Sequence, residues 1–201
     1  DKNNLQEWDW KDVNLSKESQ GVRPHLKTDS IQYNVIQTLV NQDYDIVYDD
    51  DNAGEIADVI TLKLVENEIH VELYHLKFAH EGKITSQIVN FYEVCGQAQK
   101  SANWKYKEPE EMLNHLLRRE VKKNNNGDEC SRIYKGTHDK LVELMKLAKR
   151  KLPVKYSVFI VQPGVSKDTA SDEILSLLGV TESFLKDRTG IELKVIVNKR
   201  D

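Results

Sequence analysis

Cysteine is scarce in this chain: Cys95 and Cys130 are the only two in 201 residues. One falls in a helical pattern and the other in a polar loop, so a disulfide framework is excluded as the source of stability. Long apolar runs are missing, and nothing approaches the roughly twenty residues a membrane-spanning helix needs. Neither GxxxxGK[ST] nor GxGxxG occurs, so no nucleotide motor is read in these residues. Internal repeats and low-complexity tracts are absent too. Positive charge is not in excess either: 29 Lys and Arg face 33 Asp and Glu, for a net charge of −4. That balance argues against tight autonomous binding of a polyanion, which has to be neutralised by cations.

What is present suits one medium α/β domain: 39% hydrophobic and 31% charged residues can bury a single core. The opening DKNNLQEWDWKDVNL is polar and charged, unlike a secretory leader, from which a cytoplasmic home is expected. The chain begins with Asp rather than Met, so residues 1–201 are expected to be a single domain excised from a longer protein. Residues 1–28 read as an irregular lead-in anchored by Trp8 and Trp10. Ser30 can N-cap a helix whose Ile31, Val35, Ile36, Leu39 and Val40 form one stripe. A short strand at Tyr44 to Tyr48 leads into Asp49-Asp50-Asp51-Asn52-Ala53-Gly54, which reads as a solvated turn because the twelve-residue calcium-loop pattern is missing.

The next segments read EIADVITLKLV and IHVELYHLKF, two strand patterns joined through Glu66 to Glu68 as an antiparallel pair. Further on, helices are expected from Gln87 to Trp104, from Pro109 to Lys122, and around Leu141, Leu144, Met145, Ala148 and Leu152, with NNNGDE as a breaker. A strand over Tyr156 to Val161 should stop at Pro163-Gly164. Two short helices split near Gly179-Val180, with Thr181 as N-cap, precede the last strand IELKVIVNKR. Strand, crossover helix and strand predict a parallel pair.

Chemistry concentrates between Asp49 and Phe78. Residues two apart in a strand share a face, so His75 and Lys77 point together and Glu72 points away. Asp58 stands in an otherwise apolar stretch, where an unpartnered carboxylate is costly. Glu55 offers a second carboxylate from the loop. Acids or imidazoles to hold a divalent cation, with an ammonium to offset charge, are what phosphodiester hydrolysis requires. Asp58, then His75-Leu76-Lys77, resembles the PD-(D/E)xK nuclease superfamily, with His75 where that family has Asp or Glu.

The segments DSIQ, DDDNAGEIAD, LYHLK, YEVCGQAQKS and VQPGVSK look like the C-terminal nuclease-like module of bacterial helicase-type proteins of restriction and phage defence. That resemblance implies a central mixed sheet of about four to five strands flanked by helices, as in restriction endonucleases. It implies a metal-dependent deoxyribonuclease acting beside a helicase or ATPase domain or subunit. Asp58, His75 and Glu55 would hold Mg2+ or Mn2+, with imidazole favouring Mn, and Lys77 would position water. Gln97 matches a Gln that several branches carry after the Lys strand, and Gln32 stands where the first helix often has Glu. Glu93 shares a polar strip with Gln97, Gln99 lies polar within the apolar arc, and Gly96 permits a close backbone approach.

Lys100, Lys105, Lys107, Arg118 and Arg119, interleaved with Trp104 and Tyr106, form a candidate nucleic-acid track, although Glu108, Glu110, Glu111 and Glu120 interrupt it. Two other readings stand beside the nuclease. One is a catalytically silent nuclease fold binding a protein or DNA, for which His75 and the acidic balance argue. The other is an enzyme using Cys95, against which its apolar setting weighs.

Overall fold

The computed structural model describes residues 1–124 and 126–199. Asn125, within the expected NNNGDE turn, Arg200, at the end of the expected last strand, and Asp201 lie outside the described residues. The elements run β1 (Leu5–Trp8), α1 (Ile31–Val40), β2 (Ile46–Asp49), β3 (Val59–Val65), β4 (Glu68–Leu76), α2 (Val89–Lys100), α3 (Pro109–Arg119), β5 (Val121–Lys123), β6 (Glu129–Ser131), β7 (Ile133–Lys135), α4 (His138–Lys149), β8 (Val154–Ser166), α5 (Asp172–Thr189) and β9 (Glu192–Asn198).

Seven strands form one sheet in the order β1-β9-β8-β4-β3-β2-β7, and β5 pairs with β6 apart from it. The chain is therefore α/β with a mixed sheet flanked by helices, and the sheet exceeds the expected four to five strands. β1, β9, β8 and β4 run parallel to one another, whereas β3 and β2 continue antiparallel from β4. Two of the added strands come from short segments without a strong alternating signal. The lead-in is one of them: its Leu5–Trp8 pairs with β9, so residues 1–28 are not wholly irregular. Short β7 is the other, pairing with β2 through a register shift.

Alternation along the strands builds two apolar layers. Ile60, Leu62, Val71, Leu73, Val158 and Ile160 face α2 to α5 on one side. Val59, Tyr74, Leu76, Phe159 and Val161 face Ile31, Val35, Ile36 and Leu39 of α1 on the other. Full burial of each such side chain stabilises by about 1.5–3 kcal/mol, which is why a one-residue slip of β4 is strongly disfavoured. Ser30 caps α1 as its sequence suggests, accepting from the Tyr33 backbone N–H. Thr181 is no cap: α5 continues through Gly179-Val180 as one eighteen-residue helix capped by Ser171. Nor does β8 stop at Pro163-Gly164, because Gly164 lies against Ala79, where any Cβ would sit 2.7 Å from the Ala79 methyl. Among the described residues no helix is long and apolar enough to cross a membrane.

Candidate metal centre

The site lies where β2 and β4 end and β3 begins. Strand register sets Asp49 opposite Val59 and Val59 opposite Tyr74, so the Asp49–Asp58 loop hangs over the carboxyl end of β4. Asp58 is fixed by accepting from the Leu76 backbone N–H at 2.8 Å. Around it, ligand oxygens of Asp51, Glu55 and Asp58 lie within 4.8 Å of one another. None of the three forms an ion pair among the described residues. Burial pushes the Asp58 carboxyl well above the ordinary carboxylate range; the Leu76 N–H opposes this, and the charges of Glu55, Glu18 and Asp51 add to it. Glu55 is raised for the same first reason, burial, with Asp51 and Asp50 contributing. Three carboxylates gathered without a cation favour either a shared proton or a divalent ion.

The neighbouring acids are treated differently. Asp49 and Asp50 are 1% and 0% exposed, not solvated as their sequence suggests. Extended chain sends them to opposite sides. Asp49 meets Lys122 Nζ at 2.9 Å and accepts from Gln20 and Gln32 side-chain amides. Asp50 meets Arg119 Nε at 2.7 Å and accepts from the Ile56 N–H at 2.7 Å. Burial still outweighs Arg119 and leaves the Asp50 carboxyl raised. Arg119 also donates to the carbonyls of Asp50, Asn52 and Ala53, which ties down the loop around Gly54, whose φ of +86° suits glycine. Arg119 is thus a loop clamp and leaves the expected nucleic-acid track.

His75 and Lys77 share the face expected of them, yet their partners differ from the expected ones. His75 is 3% exposed, and its Nε2 shares a 2.7 Å hydrogen bond with Ser101 Oγ just beyond α2. Burial lowers its pKa to about 4, so the ring is neutral near pH 7. The three-carboxylate group holds Asp51 beside the expected Glu55 and Asp58 and does not include His75, which lines the adjoining cleft with Glu55. Lys77 lies between Glu93 at 2.9 Å and Glu18 at 3.4 Å. Burial alone would lower its pKa, but these two carboxylates reverse that and raise it, so Lys77 is a cation and not a base. Glu72 points to the other face, accepting from Tyr44 and Tyr74 hydroxyls at 2.6 and 2.7 Å.

Gln32 supports the site from behind: its Nε2 donates to the Asp49 carboxylate and to the Asp58 carbonyl, and its Oε1 accepts from the Gln20 N–H. Gln97 lines a cleft of about 320 Å3 with Glu55, Ile56, His75, Lys100, Asn103, Trp104 and Lys107, and its Oε1 is buried without a hydrogen-bond partner. Gln99 turns elsewhere and donates to Thr181 Oγ1 at 3.3 Å. Gly96 admits no close approach, since a Cβ there would meet open space. Lys105 lines a separate cleft beside Pro153 and Gly190. Cys95 is buried with its thiol pKa raised by burial, the opposite of an activated nucleophile.

Nothing in the sequence pattern points to residues 18–20, which the fold brings to the site. Glu18 accepts from the Phe78 N–H as well as pairing Lys77, Ser19 Oγ donates to Asp51 at 2.5 Å, and Gln20 binds Asp49. Three consecutive polar side chains thus lace the site from outside the sheet. Their only local signal is an acid and two hydrogen-bonding residues in a stretch without periodicity. Comparison with family models, with curated protein sequences and with solved structures gives no match.

Proposed function

We propose that this chain is a divalent-metal-dependent nuclease domain that hydrolyses DNA phosphodiester bonds. The observation that carries the reading is the trio of Asp51, Glu55 and Asp58, three mutually close carboxylates without a protein cation, at the carboxyl end of a central strand that also delivers a charged Lys77. An all-oxygen set suits Mg2+ or Mn2+. A metal held there supplies Lewis acidity to a phosphate and makes its bound water more acidic. Asp58 anchors, with its carboxylate oriented by Leu76 N–H. Lys77, held between Glu93 and Glu18, would offer its positive charge to an anionic transition state in exchange for the more exposed Glu93 while Glu18 keeps it in place. The free Oε1 of Gln97 can orient water at the cleft floor.

The PD-(D/E)xK resemblance supports the same reading, as does the mixed sheet flanked by helices, and it is the ground for proposing a helicase or ATPase partner in restriction or anti-phage defence. The test is cleavage of labelled DNA by the purified chain with Mg2+, Mn2+ or chelator, alongside Asp58→Asn. Metal-dependent cutting that falls about a hundredfold or more in the variant is expected. Absence of both cleavage and a metal-induced rise in melting temperature would overturn the proposal in favour of a silent nuclease fold.

A further inference from the structure

The cleft beside the acidic trio does not end at Trp104. A second cleft, of about 540 Å3, is lined by Trp104, Lys107, Glu111, Asn114, His115, Leu117 and Arg118. Trp104 and Lys107 line both, so the two clefts adjoin at these residues, one reaching Glu55 and the other lying along α3, and together they are treated as one groove. Three cations line it, Lys100, Lys107 and Arg118, all exposed and none in an ion pair among the described residues. Elsewhere lysines near carboxylates are paired, as Lys63, Lys140 and Lys151 are. Trp104 lines both clefts and is half-buried, packing against the core. Lys107 Nζ lies 4.1 Å from the ring centroid, and the His115 ring is tilted 53° to the indole. Burial keeps His115 below its ordinary pKa, and Nε2 donates to the Gly54 carbonyl, so it adds no charge but ties the groove wall to the acidic loop. Glu111 is the one carboxylate of the second cleft.

We propose that this groove binds an unpaired nucleic-acid strand, with phosphates against Lys100, Lys107 and Arg118 and one base on the indole of Trp104. A chain of free cations tracks a polyanion, and an aromatic face among them takes up a planar group; the two together are how single strands are held without regard to sequence. In a duplex the bases are stacked on one another and offer no face to a tryptophan at the groove's waist. Lys107 now occupies that position by a cation–π contact, and being exposed it is free to turn toward a phosphate as a base arrives. The proposal rests on the nuclease reading for its direction alone: the strand's reacting phosphate lies at the Glu55 end.

The experiment is fluorescence anisotropy of labelled oligothymidine, oligouridine and a DNA duplex, in chelator so that nothing is cut, over a salt series. Wild type should bind the single strands at least tenfold more tightly than the duplex, and the two oligonucleotides separate DNA from RNA as the strand's source. Replacing Lys100, Lys107 and Arg118 together by Gln, all surface changes, should weaken strand binding at least tenfold and reduce the salt slope by about two, since each phosphate no longer neutralised removes roughly 0.7 from it. Trp104→Leu, which keeps an apolar group against the core, should weaken it about tenfold with the slope unchanged. Lys146→Gln with Lys149→Gln, outside the groove, should change neither. Equal binding of duplex and strand, or wild-type strand affinity in either groove variant, overturns the proposal. Binding as expected without any metal-dependent cleavage would remove the nuclease reading and leave the groove; Asp58-dependent cleavage with unaltered strand binding in the groove variants would do the reverse.

Discussion

Two groups of carboxylates sit within ten residues of each other and meet opposite fates. Asp49 and Asp50 are fully buried, and each has a cation, Lys122 or Arg119, together with hydrogen bonds that use its remaining oxygen capacity. Asp51, Glu55 and Asp58 have neighbours that donate neutral hydrogen bonds, from Ser19, Asn52 N–H and Leu76 N–H, and no cation. Burying a charge without a partner costs several kcal/mol, so structural carboxylates are paired. The contrast separates the two groups: the first pair completes the fold, and the second could hold a proton or a metal.

The structural pair should respond most strongly. Arg119→Ala leaves Asp50 buried and uncompensated and releases the loop carbonyls, and should cost about 3–5 kcal/mol in urea denaturation whether or not metal is present. A loss under 1 kcal/mol would dissolve the distinction between the two groups.

Next comes His75, which tests the neutral ring that lines the cleft with Glu55. Its folded pKa of about 4 lies below the 6.5 of an unfolded histidine, so the unfolded chain takes the proton first and stability is lost as pH falls from 6.5 toward 4. At about 1.4 kcal/mol per unit the loss is roughly 3 kcal/mol. Against His75→Gln, wild type should therefore give up that much stability over this window; parallel pH profiles for the two proteins would show that the ring is not held neutral by burial.

A slightly smaller effect should mark the uncompensated group. At a hundredfold excess over the dissociation constant, Mn2+ or Mg2+ should stabilise wild type by about 2.7 kcal/mol and Asp58→Asn hardly at all. Without metal the sign reverses. The Asp58 carboxyl is raised, so its contribution to stability is present at acid pH and is lost as pH rises through its folded pKa, and Asp58→Asn should abolish that dependence. Metal stabilisation that survives in Asp58→Asn would move the binding site elsewhere.

Glu55→Gln should disturb the fold least. Glu55 is exposed as a residue although its carboxyl is partly desolvated, and among the described residues it holds the loop through the Asn52 N–H, so the metal-free fold should change by no more than about 0.5 kcal/mol while metal affinity drops about tenfold. Isothermal titration beside urea denaturation separates the two quantities. A large loss of stability with affinity intact would place Glu55 with Asp49 and Asp50 as a structural residue.

The hairpin of β3 and β4, the face shared by His75 and Lys77, the opposite orientation of Glu72, and the parallel β8-α5-β9 unit are all legible in the residue order, because alternation and helical period are local and survive without any knowledge of neighbours. The same local order brings Asp58 and Glu55 to one end of the sheet. Which carboxylates are neutralised is a matter of tertiary structure alone. Arg119 lies 69 residues from Asp50 and Lys122 lies 73 from Asp49, so no local pattern could divide the Asp49-Asp50-Asp51 run. The same holds for Glu18, Ser19 and Gln20, and for the tie of His75 to Ser101, 26 residues on. Periodicity records what a segment buries; charge compensation depends on what the rest of the chain folds against it, and here that set the boundary between scaffold and site.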